Sequence, residues 1–231
     1  NQDENGNWHA NIEVKQGILA AFKAGKNVSF EGNYQGFVDK ENLPARQFTP
    51  EDGVRLVPGG SSVRAGAYVA EGVIIMPPAY INVGAYVDSG TMVDSHALIG
   101  SCAQVGRNVH VSAAVQIGGV LEPIGASPVI IEDNAFLSAG VVVVEGIVVK
   151  KGAVLAPGVS LSKSVPVYDC VNQVMREKGA EIPERAVVVP GTRPVKGEWA
   201  EEQGLSMACA LIVKYRDEQS DASLELESIL R

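Results

Sequence analysis

Residues 79–100 read AYINVGAYVDSGTMVDSHALIG, and an aliphatic residue returns in this stretch at every sixth position. The spacing continues on both sides and gives ten consecutive positions: Val63, Val69, Ile75, Ile81, Val87, Val93, Ile99, Val105, Val111 and Ile117. A second run follows at Ile131, Leu137, Val143, Val149, Leu155 and Leu161. The step from residue 117 to residue 131 is two residues longer than two periods, which predicts a small insertion between the runs.

A period of six fits neither a helix nor a flat strand, whose side chains repeat about every 3.6 and 2.0 residues. It is typical of a parallel β-helix, in which each hexapeptide supplies one short strand and one turn. Three hexapeptides then close one triangular coil, so residues eighteen apart stack. The aliphatic residue points into the prism, and glycines such as Gly84 and Gly90 take the turn conformations. The competing fold, a β-sandwich, would space its strands roughly 8–12 residues apart with alternating polarity.

We therefore predict a mainly β protein: a left-handed parallel β-helix with three hexapeptides per coil, a small N-terminal α/β cap and a C-terminal extension of strand and helix. The expected boundaries are residues 1–54 for the cap, 55–165 for the β-helix with an insertion near 118–130, and 166–231 for the extension. Within the cap, Ile18, Leu19 and Phe22 predict a helix over roughly Ile12–Ala24 that stops at Gly25.

Both flanks lack the six-residue period, and their elements are predicted from local patterns. Residues 26–50 indicate loop and short strands. After Ser164 the register is lost, and Val167–Glu184 has the composition of a polar insertion. Ala186–Val189 and Met207–Tyr215 are strand-like, and Asp221–Leu230 predicts a short helix with apolar leucines.

Composition excludes several classes of function. The net charge is −8 and no basic tract stands out, so nucleic acid and anionic membranes are poor partners. No apolar run reaches the roughly 18 residues of a membrane-spanning helix. The cysteines, Cys102, Cys170 and Cys209, are odd in number, which disfavours a secreted disulfide framework. With no signal-peptide pattern at the start of the chain, we expect a cytoplasmic protein.

Three motifs are more specific than the period: Tyr86-Val-Asp-Ser-Gly-Thr-Met-Val-Asp94, Gly100-Ser-Cys-Ala-Gln-Val-Gly-Arg-Asn-Val-His110 and Gly118-Gly-Val-Leu-Glu-Pro123. Together with Arg55-Leu-Val-Pro58, Ile130-Ile-Glu-Asp-Asn134 and Val144-Glu-Gly146 they strongly resemble the tetrahydrodipicolinate N-succinyltransferases, a family of hexapeptide-repeat acyltransferases. The resemblance covers most of the chain. Ser95-His96 stands where that family usually has Thr-Trp, and the cap is partial relative to the family.

The resemblance implies a definite chemistry. Succinyl-CoA would donate a succinyl group to the amino group of ring-opened tetrahydrodipicolinate, in diaminopimelate and lysine biosynthesis. It also implies a homotrimer with active sites between subunits, and a reaction that needs no metal. The acceptor carboxylates then need cationic or backbone donors, the acceptor amine needs a carboxylate, and the thioester oxygen needs hydrogen-bond donors.

Asp94 is the first candidate catalytic residue. It follows the inward-pointing Val93, so its side chain faces outward, and its neighbours at eighteen residues are Met76 and Ser112. A carboxylate at this place in the repeat suits a groove between subunits. The resemblance assigns it to binding and orienting the acceptor amine.

Glu122 is the second candidate catalytic residue, because it lies in the insertion, and insertions in solenoids form loops that often carry function. The resemblance makes it either the general base for the amine or a residue that positions the substrate. It also assigns Arg55 to the acceptor, since an arginine can clamp a carboxylate with two hydrogen bonds. Arg107 is a weaker second cation, and Ser101 is a further substrate-binding candidate.

For CoA, small residues of the late coils would let pantetheine approach the backbone, and cations would meet the phosphates. The candidates are Ser138, Ala139, Gly140, Ala156, Lys163 and Arg193. His110 is an alternative candidate for the base, but a structural role at a turn fits it at least as well. Cys102 is expected to be a small residue beside the core and not a nucleophile.

Three other functions compete with N-succinyl transfer. The first is an N-acetyltransferase that uses acetyl-CoA on another amine. The second, a β-helical zinc carbonic anhydrase, needs three converging histidines, whereas His96 and His110 are fourteen residues apart and His9 lies outside the repeat. The third is a catalytically inactive trimeric scaffold.

Overall fold

The structure is a computed structural model, and it describes residues 2–4, 7–32 and 36–217. The cap contains α1 (Ile12–Ala24), with the bounds that the sequence predicted. The Asn11 side chain caps its start by accepting a hydrogen bond of 3.2 Å from the Val14 N–H. Short strands β1 (Asn27–Ser29) and β2 (Val38–Lys40) pair antiparallel, and a 3₁₀ turn covers Pro50–Asp52.

The repeat folds into seventeen two-residue strands. They are β3 (Arg55–Leu56), β4 (Ser62–Val63), β5 (Tyr68–Val69), β6 (Ile74–Ile75), β7 (Tyr80–Ile81), β8 (Tyr86–Val87), β9 (Met92–Val93), β10 (Leu98–Ile99), β11 (Gln104–Val105), β12 (His110–Val111), β13 (Gln116–Ile117), β14 (Ile130–Ile131), β15 (Phe136–Leu137), β16 (Val142–Val143), β17 (Val148–Val149), β18 (Val154–Leu155) and β19 (Ser160–Leu161). The gap between β13 and β14 is the predicted insertion.

These strands form the three faces of a prism. Sheet 1 stacks β3, β6, β9, β12, β15 and β18; sheet 2 stacks β4, β7, β10, β13, β16 and β19; sheet 3 stacks β5, β8, β11, β14 and β17. Pairing is parallel throughout, with Ile75 opposite Val93 and Val93 opposite Val111, which confirms the eighteen-residue stacking. The second residue of each strand from Val63 onwards points inward. Ile75, Val93 and Val111, for example, are 0% exposed. Each such side chain stabilises the fold by about 1.5–3 kcal/mol.

The chain turns at three edges of the prism. Edge A joins sheet 1 to sheet 2 and includes residues 94–97, 112–115, 138–141 and 156–159. Edge B joins sheet 2 to sheet 3 and includes residues 100–103, the insertion 118–129 and 144–147. Edge C joins sheet 3 to sheet 1 and includes residues 88–91, 106–109 and 132–135. These edges decide which candidate site residues can meet within one chain.

The extension adds β20 (Val167–Asp169), β21 (Val174–Met175), β22 (Ala186–Pro194), α2 (Glu198–Glu202) and β23 (Ser206–Tyr215). Strand β22 continues sheet 1 beside β18, and β23 pairs antiparallel with β22. Both strands lie where the sequence predicted them, and β22 runs five residues further. The predicted helix at 221–230 lies outside the described residues.

The prediction that residues 167–184 form a polar insertion was wrong for their first part. Strand β20 pairs with β23 inside the sheet, and Asp169 is only 1% exposed. Its carboxylate accepts hydrogen bonds from the Tyr215 hydroxyl at 2.6 Å and from the Asn172 side chain at 2.8 Å. Asp169 is therefore a buried junction of the extension, because nearby donors of residues 171 and 172 and the distant Tyr215 satisfy its carboxylate together.

Candidate active site along the edges of the prism

Asp94 lies on edge A, one residue after the inward Val93. Its backbone N–H donates to the Val111 carbonyl at 2.8 Å, so Ser112 follows it in the next coil, as predicted. One carboxylate oxygen, Oδ1, accepts a 2.7 Å hydrogen bond from the Ser95 N–H. The other oxygen makes no hydrogen bond within the part of the chain that the structure describes. Asp94 thus presents a half-buried, locally fixed carboxylate with one oxygen available to a ligand.

Several CoA candidates stack above Asp94 on the same edge. Backbone hydrogen bonds of 2.8–3.0 Å place Asp94, Ser112, Ser138 and Ala156 in one column, which we call the edge A column. Neighbouring strands are about 4.8 Å apart, so Ser138 lies about 10 Å and Ala156 about 14 Å from Asp94 along the axis. Ser112, between Asp94 and Ser138, was not among the residues that sequence reasoning selected. The eighteen-residue spacing was the signal that could have added it.

The turn above this column is open to solvent. Ala139 and Gly140 are exposed, and Gly140 has φ +70°, which favours glycine. A Cβ added there would meet nothing within 4 Å. A ligand can therefore lie against the backbone along this side of edge A.

The hairpin of β22 and β23 extends the same edge. The Ala156 N–H donates to the Val188 carbonyl at 2.8 Å. Beyond Val188, β22 continues straight, whereas the strands of the β-helix turn at edge A. Arg193 lies five residues further, about 16 Å along the strand. Its Nε is buried and has no hydrogen-bond partner among the described residues. The structure thus brings Arg193 to the side of the prism on which the edge A column lies.

Ser101, Glu122 and Lys163 lie on edge B, apart from Asp94. The insertion begins against Gly100 and Ser101 of the preceding coil, and there the Val120 N–H donates to the Ser101 carbonyl at 3.1 Å. A Cβ on Gly119 would lie 2.5 Å from the Ser101 nitrogen, so only glycine allows this close approach. Glu122 and Lys163 are both exposed. Within one chain, the whole of sheet 2 separates Asp94 from Glu122.

The two candidate arginines occupy different places. Arg107 lies on edge C, where its Nε donates to the Asp88 carboxylate at 3.3 Å. Arg55 is exposed on the outer face of sheet 1, two coils from Asp94 or about 10 Å along the axis, and it makes no ion pair within the described ranges. Of the two, Arg55 is therefore the arginine without an internal counterion among the described residues.

The histidines do not converge. His110 stacks on Phe136 with ring centroids 4.5 Å apart, on the outer face of sheet 1. His96 is exposed on edge A with φ +62°, and His9 bonds to Asp3 in the cap. Among residues 2–4, 7–32 and 36–217, no three histidine, cysteine, aspartate or glutamate side chains come together as metal ligands.

Cys102 is buried, 6% exposed, which confirms the prediction that it lies beside the core. Burial raises the pKa of its thiol, although the ammonium group of Lys15 opposes that rise. A thiol with a raised pKa is protonated at neutral pH and is a poor nucleophile.

Comparison with known proteins shows the fold. No protein family and no curated protein sequence matches the chain. A solved structure from Campylobacter jejuni, assigned as a 2,3,4,5-tetrahydropyridine-2-carboxylate N-succinyltransferase, superimposes with a TM-score of 0.62 at 20% identity, over 83% of this chain. The chain spans 56% of the length of that protein. The two share the left-handed parallel β-helix that the repeat predicts.

Two other solved structures are more distant. An acetyltransferase domain from Neisseria gonorrhoeae has a TM-score of 0.30 at 15% identity, covering 55% of this chain and 53% of that one. A hexapeptide-repeat acetyltransferase from Vibrio cholerae, complexed with acetyl-CoA, has a TM-score of 0.21 at 15% identity, covering 59% and 66%. No helix in the described part of the chain is long and apolar enough to cross a membrane.

Proposed function

We propose that the protein is a CoA-dependent N-acyltransferase that moves a succinyl group from succinyl-CoA to the amino group of ring-opened tetrahydrodipicolinate. The observation that carries this proposal is the edge A column, in which the carboxylate of Asp94 stands at one end of a line of small residues. The motif resemblance supplies the identity of donor and acceptor. CoA thioesters are made and used inside the cell, so the proposal includes a cytoplasmic location and small-molecule partners only, without nucleic acid or membrane.

In the proposed reaction, pantetheine lies along Ser138, Ala139, Gly140 and Ala156, and its thioester reaches toward Asp94. The free oxygen of Asp94 accepts a hydrogen bond from the acceptor amine and orients the nitrogen lone pair. That lone pair attacks the thioester carbonyl carbon, and a C–N bond forms while the carbonyl oxygen becomes an oxyanion. The oxyanion then collapses, the C–S bond breaks, and CoA leaves with the proton that the amine gives up.

Glu122 can contribute only from a second protomer, because a whole face separates it from Asp94 in one chain. Edges A and B bound the same sheet, so a cyclic, head-to-tail contact across sheet 2 would bring edge A of one protomer to edge B of the next. We therefore propose a homotrimer with the site between subunits. In that site Glu122 acts on the amine as base or positioning residue, and Ser101 and Lys163 arrive on the same edge.

We propose a separate role for each of the three arginines. Arg55 binds an acceptor carboxylate, since it is exposed, close to the edge A column along the axis and without an internal counterion. Arg107 is the weaker candidate because Asp88 already engages its guanidinium at 3.3 Å. Arg193 binds a CoA phosphate, and its buried, unpartnered Nε supports that task.

A thiol-release assay tests the proposal. Purified protein is incubated with tetrahydrodipicolinate and either succinyl-CoA or acetyl-CoA, and CoA thiol is followed against an acceptor-free blank that corrects for the three cysteines. We expect acceptor-dependent release with a clear preference for succinyl-CoA. Preference for acetyl-CoA would establish the N-acetyltransferase alternative, and no release with either donor would favour the inactive scaffold.

A further inference from the structure

Lys15 is a buried cation that the proposed reaction does not use. It projects from α1 toward the prism and is 2% exposed. Its Nζ donates to the Ala126 carbonyl in the insertion, which uses one of the three N–H donors of the ammonium group. Burial lowers the pKa of Lys15, and Cys102 opposes that shift. A buried charge without a counterion is costly, and no carboxylate pairs with Lys15 among residues 2–4, 7–32 and 36–217.

A cavity of about 260 Å³ adjoins Lys15, between α1, the outer face of sheet 3 and the insertion. Three aromatic side chains line it: Trp8, Tyr68 and Tyr86. Tyr68 and Tyr86 stack with ring centroids 4.9 Å apart and planes 14° from parallel. None of the described residues that line this cavity is an aspartate or a glutamate. Lys15 is thus a buried cation beside aromatic walls, and His9, whose ring bonds to Asp3 at 3.0 Å, also lines the cavity.

A neighbouring groove bears on how many negative charges a ligand of this cavity can carry. It shares Trp8 and Tyr86 with the cavity and is lined beyond them by Asp88, Glu132 and Asp133. Lys151 also lines that groove, and Lys150 and Arg107 pair with Glu132 and Asp88 at 3.2 and 3.3 Å. The groove therefore offers no net attraction to a second negative charge at the far end of a ligand. The volume also lies below the roughly 300–1,000 Å³ of sites for drug-sized ligands, so the occupant is small.

We propose that this cavity binds a small monocarboxylate with a flat, aromatic body. The carboxylate meets the Lys15 ammonium as its missing counterion, and the body packs against Tyr68, Tyr86 and Trp8, as ring–ring contacts favour. The proposal does not rest on acyl transfer, since none of these residues has a task in that reaction.

Calorimetric titration with phenylacetate tests the proposal on the 231-residue chain, with benzyl alcohol and benzylamine as neutral and cationic counterparts. We expect saturable binding of phenylacetate that is at least tenfold weaker in Lys15→Met, whose side chain keeps the length and loses the charge. The exposed Lys26, outside the cavity, provides the matched control, and Lys26→Met should bind as the unmodified protein does. In Trp199→Phe, Trp8 is the single tryptophan, and its fluorescence should change on binding.

A second variant keeps the test valid if Lys15→Met does not fold. Val14 lines the cavity from a half-exposed position of α1, so Val14→Phe fills the space without disturbing the core. It should abolish binding while the thermal unfolding midpoint stays close to that of the unmodified protein. The proposal is overturned by unchanged affinity in Lys15→Met or Val14→Phe, by equal binding of benzylamine, or by no saturable binding at millimolar phenylacetate.

Discussion

Replacing Tyr215 by phenylalanine removes one hydroxyl group from the buried carboxylate of Asp169. Their 2.6 Å hydrogen bond joins the last strand of the extension to β20, across 46 residues of sequence. A hydrogen bond to a charged group contributes about 1.5–3 kcal/mol, and this carboxylate keeps its other donors, so the loss should fall within that range. For a chain of this length, about 1 kcal/mol shifts the thermal midpoint by roughly 2–4 °C, so we expect a decrease of about 3–12 °C at pH 7.

The stabilisation of the fold by this hydrogen bond should depend on pH, and the direction of that dependence can be predicted. Burial alone would raise the pKa of Asp169, but hydrogen bonds from Tyr215, Asn172 and the Val171 N–H outweigh it and lower the pKa below its ordinary value. The stability that a lowered carboxyl pKa provides is present above the unfolded value of about 3.9 and is lost as pH falls through the folded value. The difference between Tyr215→Phe and the unmodified protein should therefore shrink as the pH is lowered from 7 to 3.

Thermal unfolding at one protein concentration, followed by circular dichroism between pH 3 and 7, measures both effects. Tyr168→Phe is the matched control, because Tyr168 lies in β20 beside Asp169 and makes no hydrogen bond through its hydroxyl within the described ranges. That variant should unfold close to the unmodified protein. Equal midpoints for Tyr215→Phe and Tyr168→Phe at pH 7, or a difference that grows in acid, would refute this reasoning.

Further predictions concern the core and the proposed site. Leu137→Ala, at a position 0% exposed, should destabilise the protein by about 2–5 kcal/mol in denaturant unfolding, whereas a cost below 1 kcal/mol would contradict the packed prism. Arg55→Lys should raise the KM for the acceptor and leave that for succinyl-CoA unchanged, because lysine cannot form the bidentate pair. Glu122→Gln should remove the acid limb of the pH–rate profile if Glu122 is the base, and a retained limb assigns it to positioning.

The interior of the prism could be predicted because one rule governs it. Val93 and Val111 face inward for the same reason as Ile75, and the eighteen-residue register then fixes the neighbours of Asp94. The same counting places Arg107 and Asp94 on different edges. The helix α1 was predicted from local signals, namely the apolar spacing of Ile18, Leu19 and Phe22 and the stop at Gly25; the Asn11 cap emerged only from the structure.

The remaining features depend on contacts between distant segments and have no period. The pairing of Asp169 with Tyr215 and the straight course of β22 past edge A leave no repeating signal in the sequence. Lys15 is an intermediate case. It stands three, four and seven residues before Ile18, Leu19 and Phe22, which places it on the apolar face of α1. That spacing could have revealed its burial, but not the cavity beside it.

The most direct test of the proposed site compares two aspartates in the thiol-release assay. Asp88 and Asp94 each follow an inward valine, and each accepts a 2.7 Å hydrogen bond from the next N–H, Ser89 or Ser95. The two share this backbone contact, but Asp88 also pairs with Arg107 at 3.3 Å, and only Asp94 lies in the edge A column. We predict that Asp94→Asn lowers kcat/KM at least a hundredfold with unchanged oligomeric state and thermal midpoint, while Asp88→Asn stays within a few-fold of the unmodified protein. Near-normal turnover by Asp94→Asn, or an equal loss in both variants, would contradict the account.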